Sequence, residues 1–212
     1  MARTVICFIG DSITLGGHDE KYLGWPGRLC AADHHKVDAF RAYNLGVGGE
    51  TSETIAWRWR SECDARIRAG TEAGLIFAFG TNDSAEAEGE GLRVPVEQSL
   101  ANAGRILSEA RAWLPTLMVG PAPVIEELMP FQPNPATSYH FTNERLAEYN
   151  EALSETAAIN DVPYLDIMDV LAKDERWEAS LRTTDGLHPN AAGYGLIAGL
   201  VGVWSEWREW ID

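Results

Sequence analysis

The chain has 212 residues, and 17 lysine and arginine residues against 32 aspartate and glutamate residues give it a formal net charge of −15. This length fits one domain with a large core, and 45% hydrophobic residues exclude a disordered chain. The acidity argues against binding to nucleic-acid phosphates or anionic membranes, because both depend on clustered lysine and arginine. We therefore expect a single domain over residues 1–212, with no nucleic-acid partner and no stable membrane association.

The sequence also predicts a cellular compartment. No apolar run approaches the roughly 20 residues that span a bilayer, and the apolar stretch Val5–Ile9 is too short for a signal-peptide core. Three cysteines, Cys7, Cys30 and Cys63, have no metal-binding spacing, and their odd number suits no disulfide framework. We expect a cytoplasmic protein with reduced thiols.

Short β-rich apolar runs alternate with longer segments of helical spacing. This order indicates right-handed βαβ units and a parallel sheet covered on both faces. The predicted strands are Thr4–Ile9, Ala39–Asn44, Leu75–Phe79, Thr116–Val119 and Pro163–Ile167. The predicted helical segments are Ile55–Ile67 with Gly70 as a stop, Leu100–Ala110, Leu146–Leu153, and Leu196–Ile211 with Asn190 as N-cap.

Two stretches interrupt this alternation. Ser84–Gly91 is small and acidic, which favours a solvated loop. Pro121–Phe141 holds five of the ten prolines and has no clear periodicity. Long loops of this kind are often functional, so a flap on the substrate side and a purely structural excursion both remain open.

Polar groups follow the predicted strands at one edge of the sheet, where ligands bind in open parallel sheets. Ser12 follows the first strand, Gly49 the second and Asn82 the third, while Asp185 and His188 come after the fifth. A hydroxyl, glycine amides, a carboxamide and an Asp/His pair are what acyl transfer requires. The sequence has no G-x-S-x-G elbow, P-loop, G-x-G-x-x-G or H-E-x-x-H motif. Nucleotide and metal chemistry therefore lack their usual anchors, and we expect no metal.

Four sequence blocks, in order, resemble those of the SGNH (GDSL-type) hydrolase family. Ile13 stands where the family's short name has Leu, a conservative difference. The resemblance implies a flavodoxin-like three-layer α/β/α sandwich around a five-stranded parallel sheet. It also implies esterase, lipase, acetylesterase or thioesterase activity without a cofactor. The blocks are Gly10-Asp11-Ser12, Gly49, Gly80-Thr81-Asn82-Asp83 and Asp185-x-x-His188-Pro189.

The residue types suggest a triad. Ser12 is the expected nucleophile, although a serine here also suits a helix N-cap. A serine hydroxyl needs a base within reach, and His188 is the best candidate among five histidines. Asp185 lies three residues earlier, so in a turn its carboxylate can accept from Nδ1–H while Nε2 faces Ser12. An ordinary Asp-Gly turn is the alternative for Asp185.

The resemblance implies an oxyanion hole made of the Ser12 and Gly49 N–H groups and the Asn82 side-chain amide. A tight turn at Gly49 and a loop cap at Asn82 are the alternatives. Asp11 and Asp83 are possible supporting acids, with Asp11 capping a turn or orienting the nucleophile loop.

The remaining histidines and the C-terminal tryptophans have less specific interpretations. His34 and His35 lie in a polar stretch and are expected at the surface, whereas His18 and His140 could at most line the site. Trp204, Trp207 and Trp210 recur every three residues on adjoining parts of one helical face. Core packing is the default interpretation, a homo-oligomer interface is the alternative, and sugar stacking comes third.

These features predict a two-step serine hydrolase that acts on a small-molecule ester. We expect a small-ester or lipid acylhydrolase, with a carbohydrate O-acetylesterase as the alternative. A non-catalytic α/β binding module that retains the motif is the alternative from a different functional class.

Overall fold

The computed structural model of the chain describes residues 4–32 and 40–211. Within these ranges the β-strands are β1 Thr4–Gly10, β2 Phe40–Gly46, β3 Ala73–Ala78, β4 Glu86–Ala87, β5 Gly91–Leu92, β6 Thr116–Val119, β7 Phe131–Asn134, β8 Thr137–His140 and β9 Tyr164–Leu165. The α-helices are α1 Ser12–Leu15, α2 Gly24–Ala32, α3 Ser52–Asp64, α4 Val96–Trp113, α5 Asn143–Ile159, α6 Met168–Ala172, α7 Glu175–Arg182, α8 Ala191–Val203 and α9 Ser205–Ile211.

Five strands form one parallel sheet in the order β2-β1-β3-β6-β9. Successive side chains of β1 point to opposite faces of the sheet: Val5 and Cys7 join one apolar cluster, and Ile6 and Phe8 join another. Helices α3, α4 and α5 cover the first face, and α2, α8 and α9 cover the second. The predicted three-layer sandwich with a five-stranded parallel sheet is thus confirmed.

The strand boundaries differ in detail from the prediction. Ala39, the predicted start of the second strand, lies outside the described residues, and this strand continues to Gly46. The third strand begins at Ala73, two residues early, because Ala73 pairs with Val5 of β1. The last strand is reduced to Tyr164–Leu165, which pair with Met118 and Val119 of β6. The ends of these strands are therefore set by pairing with the neighbouring strand and not by the local content of apolar residues.

Two helix predictions are wrong in extent. Helix α3 ends at Asp64, before the apolar Ile67. The predicted C-terminal helix Leu196–Ile211 is two helices, because Trp204 adopts an extended conformation between α8 and α9. Asn190 caps α8 as predicted, since its side-chain oxygen accepts hydrogen bonds from the backbone N–H groups of Ala192 and Gly193.

The C-terminal tryptophans pack in the core of the described chain. Trp207 is fully buried, and its ring lies 6.2 Å from that of Phe8 and 6.1 Å from that of Phe40. Trp204 and Trp210 are partly buried against the same cluster. The bend at Trp204 therefore turns α9 onto the sheet.

A second, antiparallel sheet of order β5-β4-β8-β7 stands beside the main one. The prediction that Ser84–Gly91 is a solvated loop is wrong for its first half, because Ser84 and Ala85 are fully buried and β4 pairs with β8, whereas residues 88–91 are exposed. The Pro121–Phe141 stretch contains a single 3-10 turn and the β7–β8 hairpin. Beneath this small sheet lies a separate apolar cluster that includes Phe141 and Leu187, the residue before His188.

Within the described ranges, no helix is both long and apolar enough to cross a lipid bilayer.

Candidate active site

The candidate site lies at the carboxyl ends of β1, β2 and β3. In this sheet β2 lies on one side of β1, and β3, β6 and β9 follow on the other side. The connections after β1 and β2 therefore run in opposite directions, which opens a crevice at the carboxyl end of β1. Ser12, Gly49 and Asn82 follow these three strands by a few residues each. The sheet therefore brings together three residues that are far apart in the sequence.

Ser12 is the first residue of α1, and Asp11 is its N-cap. The Asp11 carboxylate accepts a hydrogen bond from the Ile13 N–H at 2.9 Å. The N-cap role considered for Ser12 thus belongs to its neighbour. The Ser12 hydroxyl is instead directed to His188, with 2.8 Å between Oγ and Nε2.

His188 and Asp185 extend this contact into a continuous chain. The Nδ1 of His188 lies 2.7 Å from Asp185 Oδ2, and Oδ1 accepts from the backbone N–H groups of Leu187 at 3.0 Å and His188 at 2.8 Å. A carboxylate only accepts hydrogen bonds, so Nδ1 carries the proton and Nε2 is free to accept from the Ser12 hydroxyl. Burial raises the pKa of Asp185, but the hydrogen bonds and charge of His188 outweigh it and lower the pKa to about 2.

His18 makes a contact that the sequence did not predict. Its Nε2 lies 3.0 Å from the same Oδ2 atom of Asp185, and its ring stacks on that of His188 at 5.4 Å between centroids. Among the described residues, these three are the group whose ligand atoms could hold a metal ion, all within 4.8 Å of one another. His188 Nδ1 is hydrogen-bonded to this carboxylate oxygen and His18 Nε2 lies within ion-pair distance of it, so contacts within the protein account for the cluster.

Of the remaining histidines, the structure describes only His140, which is not part of this cluster. His140 ends β8 and is exposed, while His34 and His35 lie outside the described residues.

Gly49 and Asn82, the expected oxyanion donors, follow β2 and β3 at the same edge of the sheet as Ser12. Gly49 has φ +75°, the left-handed region that glycine adopts without strain. A Cβ at Gly49 would meet no protein atom within 4 Å, so its conformation, not crowding within the protein, explains the glycine. Asn82 is 6% exposed, and its Nδ2 lies 3.4 Å from Asp11 Oδ2.

Arg93 contacts both Gly49 and Asn82, and sequence reasoning missed it. One guanidinium nitrogen donates to Asn82 Oδ1 at 3.0 Å and another donates to the Gly49 carbonyl at 2.6 Å. The guanidinium carbon also lies 4.7 Å from the centre of the Tyr139 ring. Arg93 follows no main-sheet strand and belongs to no motif, so the sequence carries no signal for it.

Asp11 and Asp83, the two acids beside the site, are both buried. Asp83 accepts from the Ser52 N–H at 2.7 Å and from the Ser99 hydroxyl at 2.5 Å, which ties its loop to α3 and α4. Burial raises the pKa of Asp83 above its ordinary value. Burial also raises the pKa of Asp11 to about 6, against the opposing effects of the Ile13 N–H and the charge of His188.

His188 is closely surrounded. Gly17 packs against its ring so tightly that a Cβ there would lie 2.9 Å from Cδ2, and Phe131 of β7 approaches the ring edge-on at 5.4 Å between centroids. A cavity of about 350 Å³ opens beside His18 and Asp185, and Phe131, Gln132 and Thr184 also lie in its wall. The Pro121–Phe141 stretch therefore borders the site.

A model of the GDSL-like lipase/acylhydrolase family matches residues 8–196. The fold is similar to that of the lipase/acylhydrolase from Enterococcus faecalis, with a TM-score of 0.74 and 21% identity over 97% of this chain and 96% of that one. It is also similar to the acetylxylan esterase Axe2 from Geobacillus stearothermophilus, with a TM-score of 0.68 and 17% identity over 100% and 97% of the two chains. No curated protein matches the sequence.

Proposed function

The chain belongs to the GDSL-like lipase/acylhydrolase family, and from this premise we propose that it is a serine hydrolase that cleaves carboxylic esters through an acyl-enzyme. The observation that carries the proposal is the continuous hydrogen-bond chain from Ser12 Oγ through His188 to Asp185, with links of 2.8 and 2.7 Å. A nucleophile, a base and an orienting carboxylate in this order are the arrangement that activates a serine.

In the first half-reaction, Ser12 Oγ attacks the ester carbonyl while His188 Nε2 takes its proton. The negative charge that develops on the carbonyl oxygen is stabilised by the N–H groups of Ser12 and Gly49 and by Asn82 Nδ2. The ionised Asp185 stabilises the imidazolium. His188 then returns the proton to the leaving alcohol oxygen as the carbon–oxygen bond breaks, which leaves the acyl group on Ser12.

In the second half-reaction, water replaces the alcohol. His188 takes a proton from the water, whose oxygen attacks the acyl carbonyl, and the same donors stabilise the oxyanion. The proton returns to Ser12 Oγ as the carboxylic acid leaves. Asp185, with its pKa lowered to about 2, is ionised throughout the neutral range.

The preferred substrate is a small ester or the acyl ester of a lipid. A carbohydrate O-acetyl ester is the second candidate, because the cavity beside His18 and Asp185 combines the aromatic Phe131 with the polar Gln132 and Thr184. An aromatic face and hydrogen-bonding groups suit a sugar ring. The fold is also that of an acetylxylan esterase.

Hydrolysis of a p-nitrophenyl ester series from acetate to palmitate, by the wild type and by Ser12→Ala, tests the proposal. We expect measurable hydrolysis by the wild type and a loss on the order of 10³-fold or more in the variant, because the nucleophile is gone. The chain length with the highest kcat/KM gives the size of the acyl pocket. A maximum at acetate, together with deacetylation of an acetylated xylooligosaccharide, supports the carbohydrate candidate.

Covalent labelling with a fluorophosphonate provides the control, since only an activated serine reacts readily. We expect the wild type to be labelled and Ser12→Ala to remain unlabelled. A wild type that neither hydrolyses any ester nor takes the label would contradict the proposal and favour the non-catalytic binding module.

A further inference from the structure

Arg93 contacts both parts of the oxyanion hole that lie outside the nucleophile loop. We propose that Arg93 is a positioning residue that holds Gly49, through its carbonyl, and the Asn82 carboxamide in the orientation in which the Gly49 N–H and Asn82 Nδ2 bind the oxyanion. This inference rests on the proposed function, because an oxyanion forms only if the site cleaves an acyl bond.

The first argument concerns the orientation of the Asn82 amide. A guanidinium has donors and no acceptor, so the Asn82 atom 3.0 Å from Arg93 is the oxygen. The amide nitrogen is then directed to the other side, where it lies 3.4 Å from Asp11 Oδ2 and beside the nucleophile loop. An amide rotated by half a turn would present its oxygen to the developing negative charge and would repel it.

The second argument concerns Gly49, which is poorly restrained by packing. It is exposed, it lacks a side chain, and a Cβ on it would meet nothing within 4 Å. Its carbonyl accepts a hydrogen bond of 2.6 Å from the second nitrogen of the Arg93 guanidinium. This bond restrains the peptide that follows Gly49, and with it the orientation of the glycine.

The third argument is that Arg93 is itself held by the small sheet. Its backbone N–H donates to the Ala85 carbonyl at 2.8 Å, next to β4. Tyr139 of β8 lies under the guanidinium at 4.7 Å, in the range of a cation–π contact. Tyr139 pairs with Ala87 of β4, so one rigid unit carries the guanidinium and the ring. A planar fork of this kind can bond two oxygens at once, which a lysine ammonium cannot do with the same geometry.

The test compares the wild type, Arg93→Ala, Arg93→Lys and Arg176→Ala in p-nitrophenyl butyrate hydrolysis. Loss of one oxyanion donor typically lowers kcat by about 10²- to 10³-fold. We therefore expect Arg93→Ala to lower kcat on the order of 10²-fold while KM stays within about threefold, because the interaction is made in the transition state. Arg93→Lys keeps the charge but loses the fork, and we expect a loss of about tenfold.

Arg176→Ala is the matched control, since it removes one guanidinium from a side chain that is 75% exposed and pairs with Asp174, the N-cap of α7. We expect it to leave kcat and KM unchanged. Ethylguanidinium added to Arg93→Ala should restore part of kcat, because a small cation can occupy the vacated place. Binding of butylboronic acid, whose serine adduct is a tetrahedral anion, should weaken in Arg93→Ala by a factor similar to the loss in kcat.

The kinetic and binding results together test the role of Arg93. Wild-type kcat in Arg93→Ala overturns the inference, and so does an impaired variant that binds the boronic acid as tightly as the wild type and gains nothing from ethylguanidinium. Reduced kcat with weakened boronic-acid binding supports it. A wild type that neither hydrolyses an ester nor takes the fluorophosphonate label overturns the proposed function and this inference with it, whereas an impaired Arg93→Ala variant beside an active wild type tests this inference alone.

Discussion

The buried Asp11 and the half-buried Asp185 show how surroundings decide the chemistry of a carboxyl group within one site. Burial raises the pKa of both, but Asp185 also bonds to the His188 ring and to two backbone N–H groups, which lower its pKa to about 2. Asp11 bonds to the Ile13 N–H and lies near the buried Asp83, and its pKa is raised to about 6. Charged interactions therefore outweigh burial at Asp185, and burial outweighs them at Asp11.

The raised pKa of Asp11 predicts a stability that falls as the pH rises. The folded protein holds the Asp11 proton more tightly than the unfolded chain. Its contribution to stability is therefore complete below the ordinary aspartate pKa of about 3.9 and is lost as the pH rises through about 6. Between about pH 5 and about pH 8 we expect the wild type to lose about 1 kcal/mol that Asp11→Asn retains. The free energy of unfolding in urea is measured for the wild type and Asp11→Asn at the two pH values, with Asp169→Asn, at an exposed position, as control. Equal pH dependence of this free energy in the wild type and Asp11→Asn would refute the prediction.

At the scale of the elements, the turn between α1 and α2 carries His18 to Asp185. Asp19 organises this turn by accepting from the N–H groups of Lys21 at 3.0 Å, Leu23 at 2.9 Å and Gly24 at 2.7 Å. Its carboxylate also pairs with the Arg28 guanidinium of α2, and the Asp19 side chain is fully buried. A single carboxylate thus joins the start of α2 to the loop that borders the site.

Replacement of Asp19 by Asn is expected to destabilise the protein by about 3–5 kcal/mol, because the Arg28 charge stays buried without its partner. Arg28 is 14% exposed in its side chain, so water cannot replace the carboxylate. The measurement is the free energy of unfolding in urea. Glu178→Gln, which breaks the exposed pair with Arg182 on α7, is the control and should cost less than about 1 kcal/mol. Similar losses in the two variants would show that the turn does not depend on the Asp19 carboxylate.

At the scale of the whole molecule, the dominant feature is the net charge of −15. A field of one sign repels ligands of the same sign, and salt weakens it as the Debye length shrinks. The field changes the rate at which a charged substrate approaches the site. It has little effect on the hydrogen bonds of the triad, because these contacts are short and largely buried. Salt should therefore affect charged substrates selectively.

We expect kcat/KM for an anionic ester, mono-p-nitrophenyl succinate, to rise severalfold between about 0.01 M and about 0.15 M salt, over which the Debye length falls from about 30 Å to about 8 Å. Neutral p-nitrophenyl butyrate should change little. Stopped-flow or steady-state rates for both esters at the two salt concentrations make the comparison. If the ratio of the two rates stays constant, the overall charge does not govern access to the site.

Much of the main fold follows from local pattern. Thr116–Val119 is a strand with the predicted bounds. A short apolar run of β-forming residues between two helices is typical of a buried strand in an α/β sandwich. Trp204 shows where pattern alone is insufficient, because periodicity continues through the bend between α8 and α9. The acidic Ser84–Gly91 stretch shows the opposite case, in which a polar segment is drawn into a sheet by its pairing with β8.

The order of residue types along the chain was enough to identify the family and to name Ser12, Asp185 and His188, because each block is contiguous and follows a predictable strand. Tertiary structure alone decided that His18 shares Asp185 with His188, and that Arg93 reaches Gly49, a residue 44 positions away in the sequence. Contacts of this kind depend on how a loop and a small sheet pack against the main one. Hydrophobic periodicity does not encode that packing, because it reports which face of an element is buried and not which side chains meet there.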